Sequence, residues 1–144
     1  MMRILLSHLA MAGAPSLAFA CSSADTASTT NAFPASTLSD HEKIAIALTT
    51  FPAQPPVAGP ASVQLVLTDP RSGKPIEDEQ VTLVPWMPTM GHGTDQVPVF
   101  HSSGDGRYLF TDVNLFMPGE WQLRLEFSGT VTDSALQQIL FNVQ

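Results

Sequence analysis

The sequence predicts an all-β chain, a seven-stranded immunoglobulin-like antiparallel sandwich, on three observations. Apolar residues recur at a period of two in Val63, Leu65 and Leu67, in Val81 and Leu83, and in Trp121, Leu123, Leu125 and Phe127. That period sends one set of side chains to a core face and the intervening Gln64, Thr82, Gln122, Arg124 and Glu126 towards water. Turn-forming residues interrupt the runs at short intervals, as a sandwich of short strands requires. Finally, charged residues make up only 13% of the chain, whereas Thr, Ser, Val, Leu and Phe are plentiful. Such a mixture favours strands over long amphipathic helices.

In chain order, strands are expected near 43–50, 62–69, 80–86, 97–101, 106–114, 120–128 and 136–143. The breakers between them are Pro52 to Pro60, Asp69-Pro70-Arg71-Ser72-Gly73-Lys74-Pro75, Ser103-Gly104-Asp105-Gly106, Pro118-Gly119 and Ser128-Gly129. If each strand reverses direction, the loops at 51–61, 87–96 and 115–119 gather at one end of the sandwich. Those at 70–79, 102–105 and 129–135 gather at the other. No internal repeat and no second domain is visible, and 144 residues suit one core.

The first forty residues read differently. Met1-Met2-Arg3 gives a short positive start, and Ile4 to Ala20 is almost wholly apolar, interrupted by Gly13 and Pro15. The run is too short to span a membrane comfortably, so 1–20 is expected to be a signal peptide. Two processing readings stand side by side. Ala18 and Ala20 supply the small side chains that an ordinary signal peptidase needs. A small residue before Cys21, with Ser22-Ser23 behind it, is similar to a bacterial lipoprotein start, in which Cys21 would carry the lipid anchor. Ala18 and Phe19 depart from that pattern, which usually has Leu three residues before the cysteine. Residues 21–40 lack an apolar period and are expected to be a disordered tether, leaving 41–144 as the folded domain. The chain is therefore expected in the periplasm or cell envelope.

Charge and cysteine content remove several classes of function. Thirteen Asp and Glu face six Lys and Arg, one of them Arg3 in the export segment. An acidic surface repels phosphate backbones, so nucleic acid is not an expected partner. Cys21 is the only cysteine, so no disulfide forms within the chain and packing must supply the stability.

The densest chemical signal is Met87-Pro88-Thr89-Met90-Gly91-His92-Gly93. Thioether sulfur selects Cu(I), and imidazole accepts either copper oxidation state, so Met with His is a suitable extracytoplasmic copper set. Met90 and His92, two apart, would share one side of an extended segment. Loop alternation adds Met117, so the candidate metal ligands are Met87, Met90, His92 and Met117. Met87 and Met117 adjoin Trp86 and Phe116 at strand ends, which equally suits packing. His101 closes the next strand, roughly 13 Å or more away at the usual rise of a strand, and is not expected to join them. His41, at the tether boundary, is expected to be exposed. No enzyme is expected: Ser102 and Ser103 beside His101 and Asp105 are strand neighbours that cannot face one another, and no nucleophile elbow exists. Glu77-Asp78-Glu79 reads as a solvated loop, and Trp86 and Trp121 as core aromatics.

Four segments in combination resemble the YtkA-like family of small extracytoplasmic sandwich domains, related to FixH-type modules. They are the turn from Asp69 to Pro75, the Met87 to Gly93 segment, Gly106-Arg107-Tyr108, and Met117-Pro118-Gly119-Glu120-Trp121-Gln122-Leu123. The resemblance spans roughly 45–144. It implies a lipoprotein or periplasmic domain, often associated with copper handling, and it supports the fold more firmly than the metal. Two functions follow as expectations. One is a chaperone-like module that holds Cu(I) and passes it to an exported partner protein. The other is a ligandless accessory domain, tethered to the membrane, that docks another exported protein by an edge strand or loop end.

Overall fold

The computed structural model describes residues 35–141, with no helix among them. They form nine strands: β1 (Ala35–Leu38), β2 (Ala45–Phe51), β3 (Gly59–Thr68), β4 (Val81–Met87), β5 (His92–Gly93), β6 (Val99–Gly104), β7 (Arg107–Leu115), β8 (Gly119–Phe127) and β9 (Asp133–Phe141). Every pairing is antiparallel. One sheet runs β1-β2-β3-β7-β6 and the other β5-β4-β8-β9, so the chain changes sheet between β3 and β4, β5 and β6, and β7 and β8. The all-β sandwich expected from alternation is the fold observed.

The period of two decides which side chains meet between the sheets. Ile46 and Leu48 of β2, Val63, Leu65 and Leu67 of β3, and Tyr108 and Phe110 of β7 face Val81, Leu83 and Met87 of β4 and Trp121, Leu123, Leu125 and Phe127 of β8. All are nearly sealed from water. At about 1.5–3 kcal/mol for each large apolar side chain, this layer is the dominant stabilising contribution.

Two strands add to the seven expected. β1 pairs along its whole length with β2, from Ala35 opposite Leu48 to Leu38 opposite Ala45. The folded part therefore begins before residue 41, inside the interval expected as a tether. An edge strand of this kind takes its hydrogen bonds from a neighbour and needs no apolar face, so alternation does not reveal it. The signal segment, Cys21 and the tether up to residue 34 lie outside the described residues. The second addition, β5, is only two residues long and pairs Gly93 with Trp86 and His92 with Met87.

Two burial expectations are corrected. Trp86 is not a core residue: with Val81, Leu83 and Met87 pointing inward, it falls on the outer face of β4, where the Arg124 guanidinium lies 4.6 Å from its ring centre. Glu79 is not solvated; it is 1% exposed.

Glu79 belongs to the end of the sandwich where the loops after β3 and β8 meet the β1–β2 turn. The Tyr108 hydroxyl donates to Ile76 O at 2.8 Å and accepts from Glu79 N at 3.1 Å. Burial, the largest effect, together with nearby carboxylates raises the Tyr108 pKa. Val131 N donates to Glu79 Oε2 at 3.0 Å, and Thr130 Oγ1 to Glu77 O at 3.0 Å. Close by, Asp133 receives His41 Nδ1 at 2.6 Å and Ser134 N at 2.9 Å. Burial pushes the Asp133 carboxyl up, but hydrogen bonds from Ser39, His41 and Ser134 outweigh it and hold the group far below the carboxylate range. An ionised carboxylate only accepts, so His41 Nδ1 carries the proton. His41 is exposed as expected, yet it serves as a clasp.

Candidate metal-binding cleft

At the opposite end the loops after β2, β4, β5 and β7 converge, as strand reversal predicts. They leave an open cleft of about 480 Å³, a size usual for small-ligand sites. One wall is His92 and Gly93 of β5 with Thr94, Asp95 and Gln96 behind them; the other is Asn114, Phe116, Met117 and Trp121.

Each wall has a local cause. Residues 88–91 form a turn, in which the N–H groups of Met90 and Gly91 both donate to Met87 O, at 3.2 and 2.9 Å. Gly91, with φ of +69°, reverses the chain and delivers His92 to the edge of β4. β5 comes that close because residue 93 has no side chain: a Cβ there would stand 2.5 Å from Pro85 O. On the facing wall, the buried Trp121 donates its indole N–H to Met117 O at 2.9 Å, which fixes the 116–118 turn. Asn114 is almost wholly buried and donates to Gln96 Oε1, tying the two walls together.

His92 Nδ1 lies 2.9 Å from Gly93 O. A carbonyl oxygen only accepts, so Nδ1 carries the proton and the lone pair of the neutral ring resides on Nε2. Histidines that bind metal are commonly oriented in this way, by a carbonyl on the other ring nitrogen.

The structure separates the four sequence-predicted ligands. His92 and Met117 line the same cleft. Met87 does not: it is 1% exposed, and its Cε lies 3.1 Å from where a Cβ on Gly119 would stand, so its thioether packs under the start of β8. Met90 is 55% exposed on the turn and outside the cleft wall. Nor do Met90 and His92 share one side of an extended segment, because the intervening backbone turns. His101 sits on β6, apart from the cleft, as expected.

The YtkA-like family model matches residues 39–126, from the β1–β2 turn almost to the end of β8, and so includes both walls of the cleft. The chain belongs to the YtkA-like family. No curated protein and no solved structure gives a match.

In this YtkA-like domain the Met87 to Gly93 segment thus performs three separate jobs: Met87 fills the core, residues 88–91 turn the chain, and His92 reaches the cleft. Asp95, Gln96 and Asn114 are cleft residues that the sequence reading missed. Asn114 left a trace, as the one polar residue in the apolar Val113-Asn114-Leu115 run; a buried polar residue is more informative than an exposed apolar one. Among the described residues no three His, Cys, Asp or Glu side chains come together as a metal site. The lining of the YtkA-like cleft instead includes one thioether residue and one imidazole residue, donor types that suit Cu(I) better than a hard cation.

Proposed function

We propose that this YtkA-like protein is a non-catalytic module of the cell envelope that holds Cu(I) as cargo between His92 and Met117. The observation that carries the reading is their placement on one cleft, with the His92 tautomer set by Gly93 O so that Nε2 keeps its lone pair. A two-donor site leaves room for a receiving partner's ligand, and an open cleft suits exchange better than a closed cage. Export by residues 1–20 and anchoring through Cys21 belong to the same proposal. Met90, close in sequence but outside the wall, is an accessory donor at most, and Met87 is withdrawn from the ligand set.

Titration of the purified protein against a chromophoric Cu(I) chelator tests this. One equivalent is expected to bind, weakened at least about tenfold in the double variant His92→Ala/Met117→Leu. Met90→Leu is expected to keep most of the affinity. Absence of binding, or binding indifferent to both cleft changes, sinks the copper reading.

The ligandless accessory reading is favoured by a different observation: Phe116, in the cleft wall, is 63% exposed, and with Met90 it gives this end an apolar rim. It requires that the purified protein take no copper while still docking an exported protein at this end.

A further inference from the structure

The two outer faces of the sandwich differ in how they meet water. On the four-stranded sheet, Arg124 lies over Trp86, Gln122 accepts from Arg124 at 3.1 Å, and Glu126 stands nearby on the same strand. That face is charged and partly covered by its own side chains. The five-stranded sheet presents Ala47, Thr49, Gln64, Val66, Leu109 and Thr111 outward, all at least partly exposed. A shallow groove of about 340 Å³ crosses it, between Phe51, Gln64, Leu109 and Ser103. Phe51 is 45% exposed at its margin.

Charge is nearly absent from this sheet. Along β1, β2, β3, β7 and β6 the only Asp, Glu, Lys or Arg residues are Arg107 and Asp112. Every other described acidic residue lies in a turn or on the four-stranded sheet. For a chain of net charge −7, this is the surface on which two copies approach with least repulsion. Arg107 and Asp112 are both exposed, and neither forms an ion pair among the described residues. They lie on the same strand with Leu109 between them. Asp112, at φ of +59°, sits where β7 bulges against β3 and lines a depression with Phe51, Ser62 and Thr111 of this same face.

We propose that the outer face of the five-stranded sheet is where two copies of this chain pair, across a twofold axis near Leu109. With the axis in the plane of the face and perpendicular to the strands, β7 crosses its own copy in the opposite direction. Arg107 then lies over Asp112 of the partner subunit, and Asp112 over the partner's Arg107. An opposite pair on either side of the axis makes the face self-complementary, as a twofold interface requires. Five strands about 4.8 Å apart and roughly seven residues long give a flat area of about 500 Å² per copy. The total of about 1,000 Å² falls in the class of weak, transient interfaces, so a concentration-dependent dimer is expected rather than a permanent one. The cleft stays open in this arrangement, and the inference does not depend on copper.

Sedimentation velocity of the purified, unlipidated chain from residue 21 onward at about 1–100 µM, in reductant so that Cys21 cannot cross-link, tests the pairing. A concentration-dependent monomer–dimer equilibrium is expected. Leu109→Glu abolishes the dimer, and Arg107→Asp weakens it at least about tenfold. Combining Arg107→Asp with Asp112→Lys restores much of the loss, because the exchanged charges meet again across the axis. Because Lys at a positive φ is strained, Asp112→Asn is the companion variant; Asn tolerates that backbone, and the dimer is expected to weaken with folding intact. A monomeric wild type at 100 µM overturns the proposal. So does a Leu109→Glu variant as dimeric as wild type, or a dimer lost instead through Val84→Glu on the opposite face. A charge exchange that folds yet dimerises no better than Arg107→Asp alone overturns the twofold register.

Discussion

The two ends of this sandwich are built from loops of contrasting composition, charged at one end and rich in proline and apolar residues at the other, and they end in opposite states. At one end, the loops after β3 and β8 and the β1–β2 turn are stitched by side chains that have left water: Glu79, Tyr108, Ser39 and Asp133 are all buried. Many of the bonds there join segments far apart in sequence, such as His41 to Asp133 and Glu79 to Val131. At the other end one side-chain bond, Asn114 to Gln96, joins the two walls of a cleft, Trp121 to Met117 fixes a single wall, and the rim remains apolar and exposed. The difference teaches where this fold keeps its stability and where it can adapt. Cross-linked loops open only with large loss of native structure, whereas a sparsely bonded end can move without unfolding the core.

The largest effect is expected from unpicking the closed end. Asp133→Ala leaves the donors of His41, Ser39 and Ser134 without their shared acceptor, at a cost of about 2–4 kcal/mol in urea unfolding. Met117→Leu at the open end is expected to cost under about 0.5 kcal/mol, because its side chain is 37% exposed. Equal losses at the two ends would erase the distinction.

Acid sharpens the same contrast. The Asp133 carboxyl is held well below its ordinary value, so its folded form binds a proton less readily than its unfolded form. The stability it contributes is fully present above the unfolded value of about 3.9 and is lost as pH falls below it. Urea midpoints should therefore be nearly level from about pH 7 to pH 5 and drop below about pH 4. Asp69, whose carboxyl is lowered chiefly by the backbone N–H of Ser72, contributes in the same direction from an exposed turn. The Asp133→Asn variant should show a shallower acid slope than wild type; an unchanged slope would place the acid sensitivity elsewhere.

Much of the closed end was invisible before the structure, for a physical reason. Glu77, Asp78 and Glu79 are three consecutive acids, and nothing in their order marks the third as the one that turns inward to meet Val131. Burial there depends on contacts fifty residues away. The core, by contrast, is local information repeated: Val63, Leu65 and Leu67 declare their shared face by spacing alone. The same rule would have placed Met87, since Val81, Leu83 and Met87 fall on one parity and point inward together. The cleft lies between these extremes. His92 and Met117 could be brought to one end by counting strand reversals, but the turn at Gly91, which parts Met90 from His92, required backbone geometry. β1 and β5 escaped because one is a polar edge and the other is two residues long.

Another small expected change in stability carries the sharpest test of the open end. Gly93→Ala adds one methyl group at a point where a Cβ would lie 2.5 Å from Pro85 O. That neighbour is backbone in a paired strand, so β5 must yield rather than β4. Because β5 is held only through the two register positions opposite Trp86 and Met87, releasing it should cost under about 1 kcal/mol. His92 and Gly93 both belong to β5, and once the strand is released from β4 its backbone no longer fixes the angle between the His92 ring and Gly93 O that keeps the Nε2 lone pair available. Copper affinity should therefore fall severalfold in a variant whose urea midpoint hardly changes. Nitrogen-15 chemical shifts of the His92 ring would report the tautomer directly. A ring that keeps its Nδ1 proton and its affinity after Gly93→Ala would mean that the position of β5 does not govern this end of the molecule.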